Sequence, residues 1–521
     1  MPIPTTITLA LVIWIFPASY DHTLNRTAFS PPMASISNGF IVGTTTRVPS
    51  APTHVVNQYL SIPFAKSPSK RFSPPEDHEP WNSIWNATNY RPSCIQHFAN
   101  DEFRKIFNSD QPPESEDCLH LNIFTPSTIT KRGRPVMVWI HGGSFQLGSA
   151  RLSEYDGSFL ASNHGVVVVT MNYRTNVFGF PASPEIPPDQ RNLGFMDQRK
   201  ALEWVNRNIG AFGGDPSKVT IFGESLGGYS VKQLLINPPQ PLPFRAAITR
   251  SQAFGPSGDE EASWATLVKE LKCNTTTAAH QHACVANAPA EAIRDVLDHK
   301  GLGFTPVVDN ITNGPFFNDA FYQGSIAGVP VLIGTNADEG TVLTSVMPPP
   351  EQMLSGIFGN DTGSKELARS YYSSNATMAE LESRILTDYS YTCTTSAIAE
   401  LIAHGHQSVW RYFYNASFPN NEPFREVGAW HTSEIPLVFG TYRVDNETTA
   451  SQVKLSDSMQ SAWADFAKHP EDGPGWPMVG SQDKDLRVFD TTHAVRGRTI
   501  DRNSVDTVCT FYDAFVQLNG L

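Results

Sequence analysis

Apolar residues in this chain gather into short runs closed by turn residues. Segments 136–140, 166–170, 219–222 and 329–333 are valine- and isoleucine-rich runs of this kind. Unbroken apolar runs of that length predict strands buried on both faces, as in a parallel sheet. Between them the period changes. Segment 197–209 places Leu202, Val205 and Ile209 on one face of a helix. Strands alternating with helices predict an α/β architecture built on a large, mostly parallel sheet. From about 348 to 408 the chain reads as a helical excursion on that sheet. It opens on three prolines and continues through Met353, Leu354, Ile357, Leu381, Ile385 and Leu386. No repeat, heptad or flexible linker interrupts the rest, so one domain over 20–521 is expected.

Composition narrows the class. The chain has 521 residues, of which 40% are hydrophobic and 17% charged, enough for a sizeable core and too apolar for a disordered chain. The net charge of −13 would repel a phosphate backbone, and there is no basic run, so nucleic acid is not an expected partner.

The first apolar run, ITLALVIWIF (7–16), is too short to span a bilayer as a helix and is followed by Ala18 and Ser19. It reads as a secretory signal over 1–19, with no lasting membrane anchor. Eight Asn-x-Ser/Thr sequons support export, at Asn25, Asn86, Asn274, Asn310, Asn360, Asn375, Asn415 and Asn446. In an extracellular setting six cysteines should pair, although six allow fifteen connectivities. Local spacing suggests Cys94–Cys118 and Cys273–Cys284, which leaves Cys393–Cys509.

The chemistry concentrates in Gly223-Glu224-Ser225-Leu226-Gly227, directly after run 219–222 and before a helical stretch. By composition alone G-x-S-x-G arises in roughly one chain in six of this length. A strand–turn–helix setting raises its value, because the sharp bend holds the serine exposed above the sheet and the small flanking residues avoid clashes. A serine needs a base and an orienting acid, which follow it in the order acid, then histidine, in this kind of fold. Run 329–333 leads into Asp338 and Glu339, two candidate acids at a strand end. His431 lies in a later mixed loop, and spacing alone does not single it out from fifteen histidines. Run 136–140 ends in His141-Gly142-Gly143-Ser144, where backbone N–H groups of Gly143 and Ser144, with that of Leu226, are candidate oxyanion donors.

Taken in order, WIHGGSF (139–145), NYR (172–174), NLGFMDQ (192–198), AFGGDP (211–216), FGESLGG (222–228), NADEG (336–340), HTSEIPLVFG (431–440) and WADFA (463–467) are distinctive, as is EDCLHLN (116–122). Together they resemble the type B carboxylesterase/lipase family, the α/β-hydrolase group that includes cholinesterases and fungal lipases. The resemblance covers nearly the whole chain. It implies an α/β-hydrolase fold, with Ser225 as nucleophile, Glu339 rather than Asp338 as the acid, and His431 as the base. It places Glu224, Ser251 and Glu434 around that triad as a further polar layer. It also implies the pairs Cys94–Cys118, Cys273–Cys284 and Cys393–Cys509, and no metal or organic cofactor.

The chain departs from the family pattern at Ser144, where a third glycine is usual, and at Leu226, where alanine is usual. The choline-binding tryptophan is absent from the Cys94–Cys118 loop, which resembles a shortened lid carrying Phe98, Phe103, Ile106 and Phe107. The expectation is a secreted, extracellular serine esterase forming an acyl-enzyme with small or lipophilic carboxylic esters. A triacylglycerol lipase and an acyltransferase or tailoring esterase of secondary metabolism are the enzymatic rivals. A non-catalytic adhesion or binding module is the rival from another class.

Overall fold

The computed structural model describes residues 30–518 apart from 108–110, 129, 253–257, 276, 315, 347–354, 356, 373–375 and 495–496. The expected signal over 1–19, Asn25, Asn375, and Met353 and Leu354 of the excursion lie outside the described residues. Contacts group Pro32–Leu521 as one unit.

Three strands, β1 (Met33–Ile36), β2 (Gly39–Val42) and β5 (Trp85–Asn86), make a small sheet of their own. The main sheet begins with β3 (Thr44–Thr46), β4 (Val56–Pro63), β6 (His120–Pro126), β7 (Arg134–Ile140) and β8 (Val167–Met171). It continues with β9 (Gly214–Glu224), β10 (Ala246–Arg250), β11 (Val331–Asn336), β12 (Val409–Asn415), β13 (Leu486–Asp490) and β14 (Arg498–Ile500). Its spatial order is β14-β13-β12-β11-β10-β9-β7-β8-β6-β4-β3. The block from β8 through β7, β9, β10, β11 and β12 to β13 is parallel, and the ends are antiparallel.

The four expected strands are all present, with shifted bounds. The clearest shift is 329–333, where the strand itself runs Val331–Asn336. Pro330 has no N–H to give a ladder, so pairing starts one residue later. The expected helix 197–209 is Leu193–Asn208, closed by a tighter turn over Ile209–Phe212.

Alternate strand residues feed two cores, as a pleated sheet requires. Val136, Val138 and Ile140 join one cluster, with Val231 and Leu234 of the helix Leu226–Ile236. Met137 and Trp139 join the other, with Met459 and Trp463 of the helix Ala450–Lys468. Strands β8, β10 and β11 are buried along their whole length. That accounts for the apolar runs read at 166–170 and 329–333, which fall on β8 and the start of β11.

The excursion is helical: Thr362–Ser370, Met378–Leu386, a π-helical turn over Thr387–Cys393, then Thr394–His404. Disulfides join Cys94 to Cys118, Cys273 to Cys284 and Cys393 to Cys509. The third ties the π-helical turn to the final helix, Cys509–Leu518. Asn86, Asn274, Asn310, Asn360, Asn415 and Asn446 are all exposed. Among the described residues no helix is long and apolar enough to cross a membrane.

Candidate active site

β9 ends at Glu224, and the helix begins at Leu226. The single residue between them, Ser225, takes φ 56° and ψ −127°, a left-handed conformation that side chains rarely adopt. The turn is tight enough that Gly223 and Gly227 pack against each other, and a Cβ on Gly227 would run into the Ile140 carbonyl oxygen. The pattern of small residues around Ser225 is therefore a packing requirement. Ser225 N–H donates to the Arg250 carbonyl oxygen at 2.9 Å, which continues the β9–β10 ladder into the turn.

The next parallel strands bring the other groups to the same sheet edge. β11 ends at Asn336, whose N–H donates to Glu339 Oε1 at 2.7 Å. Glu339 Oε2 accepts the Nδ1–H of His431 at 2.6 Å. Asp338, the other candidate acid, is engaged elsewhere: its carboxylate accepts from Ala429 N–H at 2.8 Å. The geometry thus selects Glu339 as the partner of His431. On the far side of the ring, His431 Nε2 lies 3.2 Å from Glu224 Oε1. Among the described residues Ser225 Oγ makes no hydrogen bond. Such a bond to the base commonly tightens only when substrate is bound.

Glu434 closes the polar layer. It accepts from Arg250 Nη2 at 2.7 Å and from the Asn336 side-chain amide at 2.7 Å. Arg250 and Glu434 are fully buried, and the guanidinium lies over the rings of Trp139 and Trp463. Ser251, expected in the same layer, follows Arg250 with φ 45°, and its buried hydroxyl has no partner among the described residues. Nothing in the structure explains that hydroxyl.

Burial works against charge on His431, but Glu224 and the hydrogen-bonded Glu339 outweigh it and hold the imidazolium up at about 9. Burial pushes Glu224 up to about 8 and also raises Glu339. His141 is the opposite case. Fully buried, it is pushed down to about 4 and stays neutral, stacked 4.4 Å from Tyr173 beneath the glycine turn.

That turn reaches positive φ at Gly143 (104°) and Ser144 (55°). Among the described residues the N–H groups of Gly143 and Ser144 donate no hydrogen bond. The N–H of Leu226 opens its helix, where no intrahelical acceptor is available. Gly143 and Ser144 line the same cleft as Ser225, and Leu226 follows Ser225 directly in the chain.

Ser225, His431, Gly143 and Ser144 share one cleft of about 220 Å³. Its other walls are largely apolar, including Leu147, Leu152, Tyr155, Leu343 and Leu386. Phe103 and Phe107 cover it from the helix Asp101–Phe107, and Phe107 packs 6.2 Å from Trp430. Phe98 turns away into the core beneath Arg104, and Ile106 joins the small cluster around Trp430. A larger polar cavity of about 370 Å³, lined by Asp338, Arg384 and Asp388, lies behind the acid loop and touches neither Ser225 nor His431. Among the described residues no group of three His, Cys, Asp or Glu side chains is placed to hold a metal ion.

Sequence reasoning did not find Arg250, Asn336 or Tyr391. Arg250 carried a usable signal, a charge at the end of the mostly apolar stretch Ala246–Arg250, which must be paired if buried. Tyr391 carried none.

Residues 30–509 match the family model described as the carboxylesterase family. The chain is 34% identical to the para-nitrobenzyl esterase of Bacillus subtilis (strain 168), covering 84% of this chain and 91% of the relative. It is 31% identical to the liver carboxylesterase of Sus scrofa, covering 90% and 91%. It is 32% identical to the fumonisin B1 esterase of Sphingopyxis macrogoltabida, covering 81% of each.

Proposed function

The chain belongs to the carboxylesterase family, and from that premise we propose that it is a secreted serine esterase acting through an acyl-enzyme on small or lipophilic uncharged esters. Carboxylic ester hydrolysis is the activity of the family, and the finer reading rests on the site. The observation that carries it is the 2.6 Å hydrogen bond between His431 and Glu339 in the cleft that also holds Ser225.

In this reading Ser225 Oγ attacks the ester carbonyl carbon while His431 Nε2 takes its proton. Glu339 fixes the tautomer through Nδ1–H and offsets the imidazolium charge. The N–H groups of Gly143, Ser144 and Leu226 hold the oxyanion, a contribution of about 3–4 kcal/mol per donor in comparable sites. His431 then gives the proton to the departing alcohol oxygen. Water attacks the acyl-enzyme with the same base. No step calls for a metal or organic cofactor.

The modest apolar cleft under Phe103 and Phe107 favours an esterase over a lipase of long-chain glycerides. The name of the Bacillus relative, para-nitrobenzyl esterase, fits esters of that size. An extracellular location is supported by the three disulfides and by six exposed sequon asparagines. Ser225→Ala is the decisive variant: it should lose nitrophenyl-ester turnover by orders of magnitude and no longer bind a fluorophosphonate. Near-full activity in that variant would favour a non-catalytic role for the cleft and sink the assignment.

A further inference from the structure

An ester presents two halves to its nucleophile, and proton transfer fixes where one of them lies. As the ester C–O bond breaks, its electron pair leaves on the alcohol oxygen, and that oxygen takes the proton which His431 removed from Ser225. It must therefore lie within hydrogen-bond reach of Nε2. The carbon skeleton of the alcohol then passes over whatever flanks the imidazole.

The flanking group is Tyr391. Its ring centroid is 5.0 Å from that of His431, tilted by 49°, and it lines the cleft together with Ser225. The ring is almost wholly buried and has little freedom to move aside. It sits on the π-helical turn Thr387–Cys393, a rare geometry often found at functional sites. The turn is anchored at both ends. Thr387 Oγ1 accepts the Gly340 N–H at 2.9 Å, next to Glu339, and Cys393 is bonded to Cys509. A rigid aromatic wall thus stands beside the proton donor. Among the described residues lining the cleft there is no lysine or arginine to attract an anionic group.

We propose that Tyr391 is the specificity-determining residue of the alcohol subsite, selecting esters whose alcohol half is an uncharged planar ring, such as an arylmethanol, over aliphatic alcohols of similar size. The proposal rests on the ester-hydrolysis reading above. Aromatic pairs with centroids about 4.5–7 Å apart gain enough beyond simple burial to change a rate by about 3- to 10-fold.

Benzyl and cyclohexylmethyl butyrate test it, because they share an acid, a size and nearly the same leaving-group chemistry and differ in planarity. The wild-type enzyme should favour the benzyl ester in kcat/KM by about 3- to 10-fold, and Tyr391→Phe should keep that ratio. Tyr391→Leu should lose it, the benzyl ester falling by about 3- to 10-fold more than the cyclohexylmethyl ester. Fluorophosphonate titration of Ser225 normalises each variant to its competent sites, so misfolding does not mimic the result. An equal fall for both esters makes Tyr391 a mere support for His431 and overturns the proposal. So does a change that follows acyl length across acetyl, butyryl and hexanoyl benzyl esters, since that places the ring on the acyl side. If the wild type hydrolyses none of these esters, the functional reading itself has failed, which is a separate outcome.

Discussion

Glu339 and His431 are joined by one 2.6 Å hydrogen bond, although 92 residues separate them in the chain. The bond forms because β11 and β12 run parallel, so that the loop after one and the segment after the other meet at the same sheet edge. In the neutral imidazole that bond keeps the proton on Nδ1, and Nε2 lies 3.2 Å from Glu224 at the end of β9.

Glu339→Gln keeps the shape of that contact and removes its charge. It should lower kcat by about 10²- to 10⁴-fold with a small change in KM, because an amide neither enforces the tautomer nor stabilises the imidazolium. Burst kinetics with a nitrophenyl ester measure this. Activity within tenfold of wild type would remove Glu339 from the mechanism.

The pH profile has a definite sign. Burial disfavours the imidazolium, yet Glu224 and Glu339 hold His431 up at about 9, so its base form accumulates only as pH rises through that value. The activity in kcat/KM should rise over the same range. Glu224→Gln removes the anion 3.2 Å from Nε2, lowers the folded pKa and should move the rising limb to lower pH by roughly one unit or more. A limb that stays put or moves upward would show that Glu224 does not govern the base.

Arg250 and Glu434 form a fully buried pair at 2.7 Å. Arg250→Met should destabilise the fold by about 3–5 kcal/mol, because Glu434 is left buried without its ion-pair partner. Adding Glu434→Gln should recover part of the loss, read by guanidinium unfolding. If the second change adds to the damage instead, the pair is not coupled.

Replacing Cys393 and Cys509 together by serine opens a loop spanning 116 residues. On loop-entropy grounds the loss is about 4–5 kcal/mol, measured by calorimetry against the oxidised wild type. A loss under about 1 kcal/mol would mean that packing of the helix Cys509–Leu518 holds the segment without the bond.

Much of this site was legible before folding because its requirements are local. The G-x-S-x-G turn, the HGG turn and the strands before them announce themselves through short-range sterics and burial, and the structure places them as expected. The choice between Asp338 and Glu339 was open on residues alone, since both sit at one strand end. Resemblance chose Glu339; in the structure Glu339 is the carboxylate hydrogen-bonded to His431, while Asp338 accepts from Ala429 N–H. Arg250, Asn336 and Tyr391 act through long-range contacts to segments 90 or more residues away, or through an irregular turn with no periodic signature. Ser251 shows the reverse: placed near the triad by pattern, it makes no hydrogen bond through its side chain.

The strand ladder does not stop where the strands do. Ser225 N–H bonds to Arg250 O, Ser251 N–H to Gly334 O, Ala337 N–H to Tyr414 O and Asp338 N–H to Ala429 O, at 2.8–3.0 Å. The nucleophile turn and the acid loop are thus continuations of the most deeply buried part of the sheet. Their amides should exchange with solvent on the slow timescale of global opening rather than the fast one of surface loops. Catalytic competence and the folded state would then be lost in a single cooperative event, and heating would leave no intact scaffold carrying a dead site.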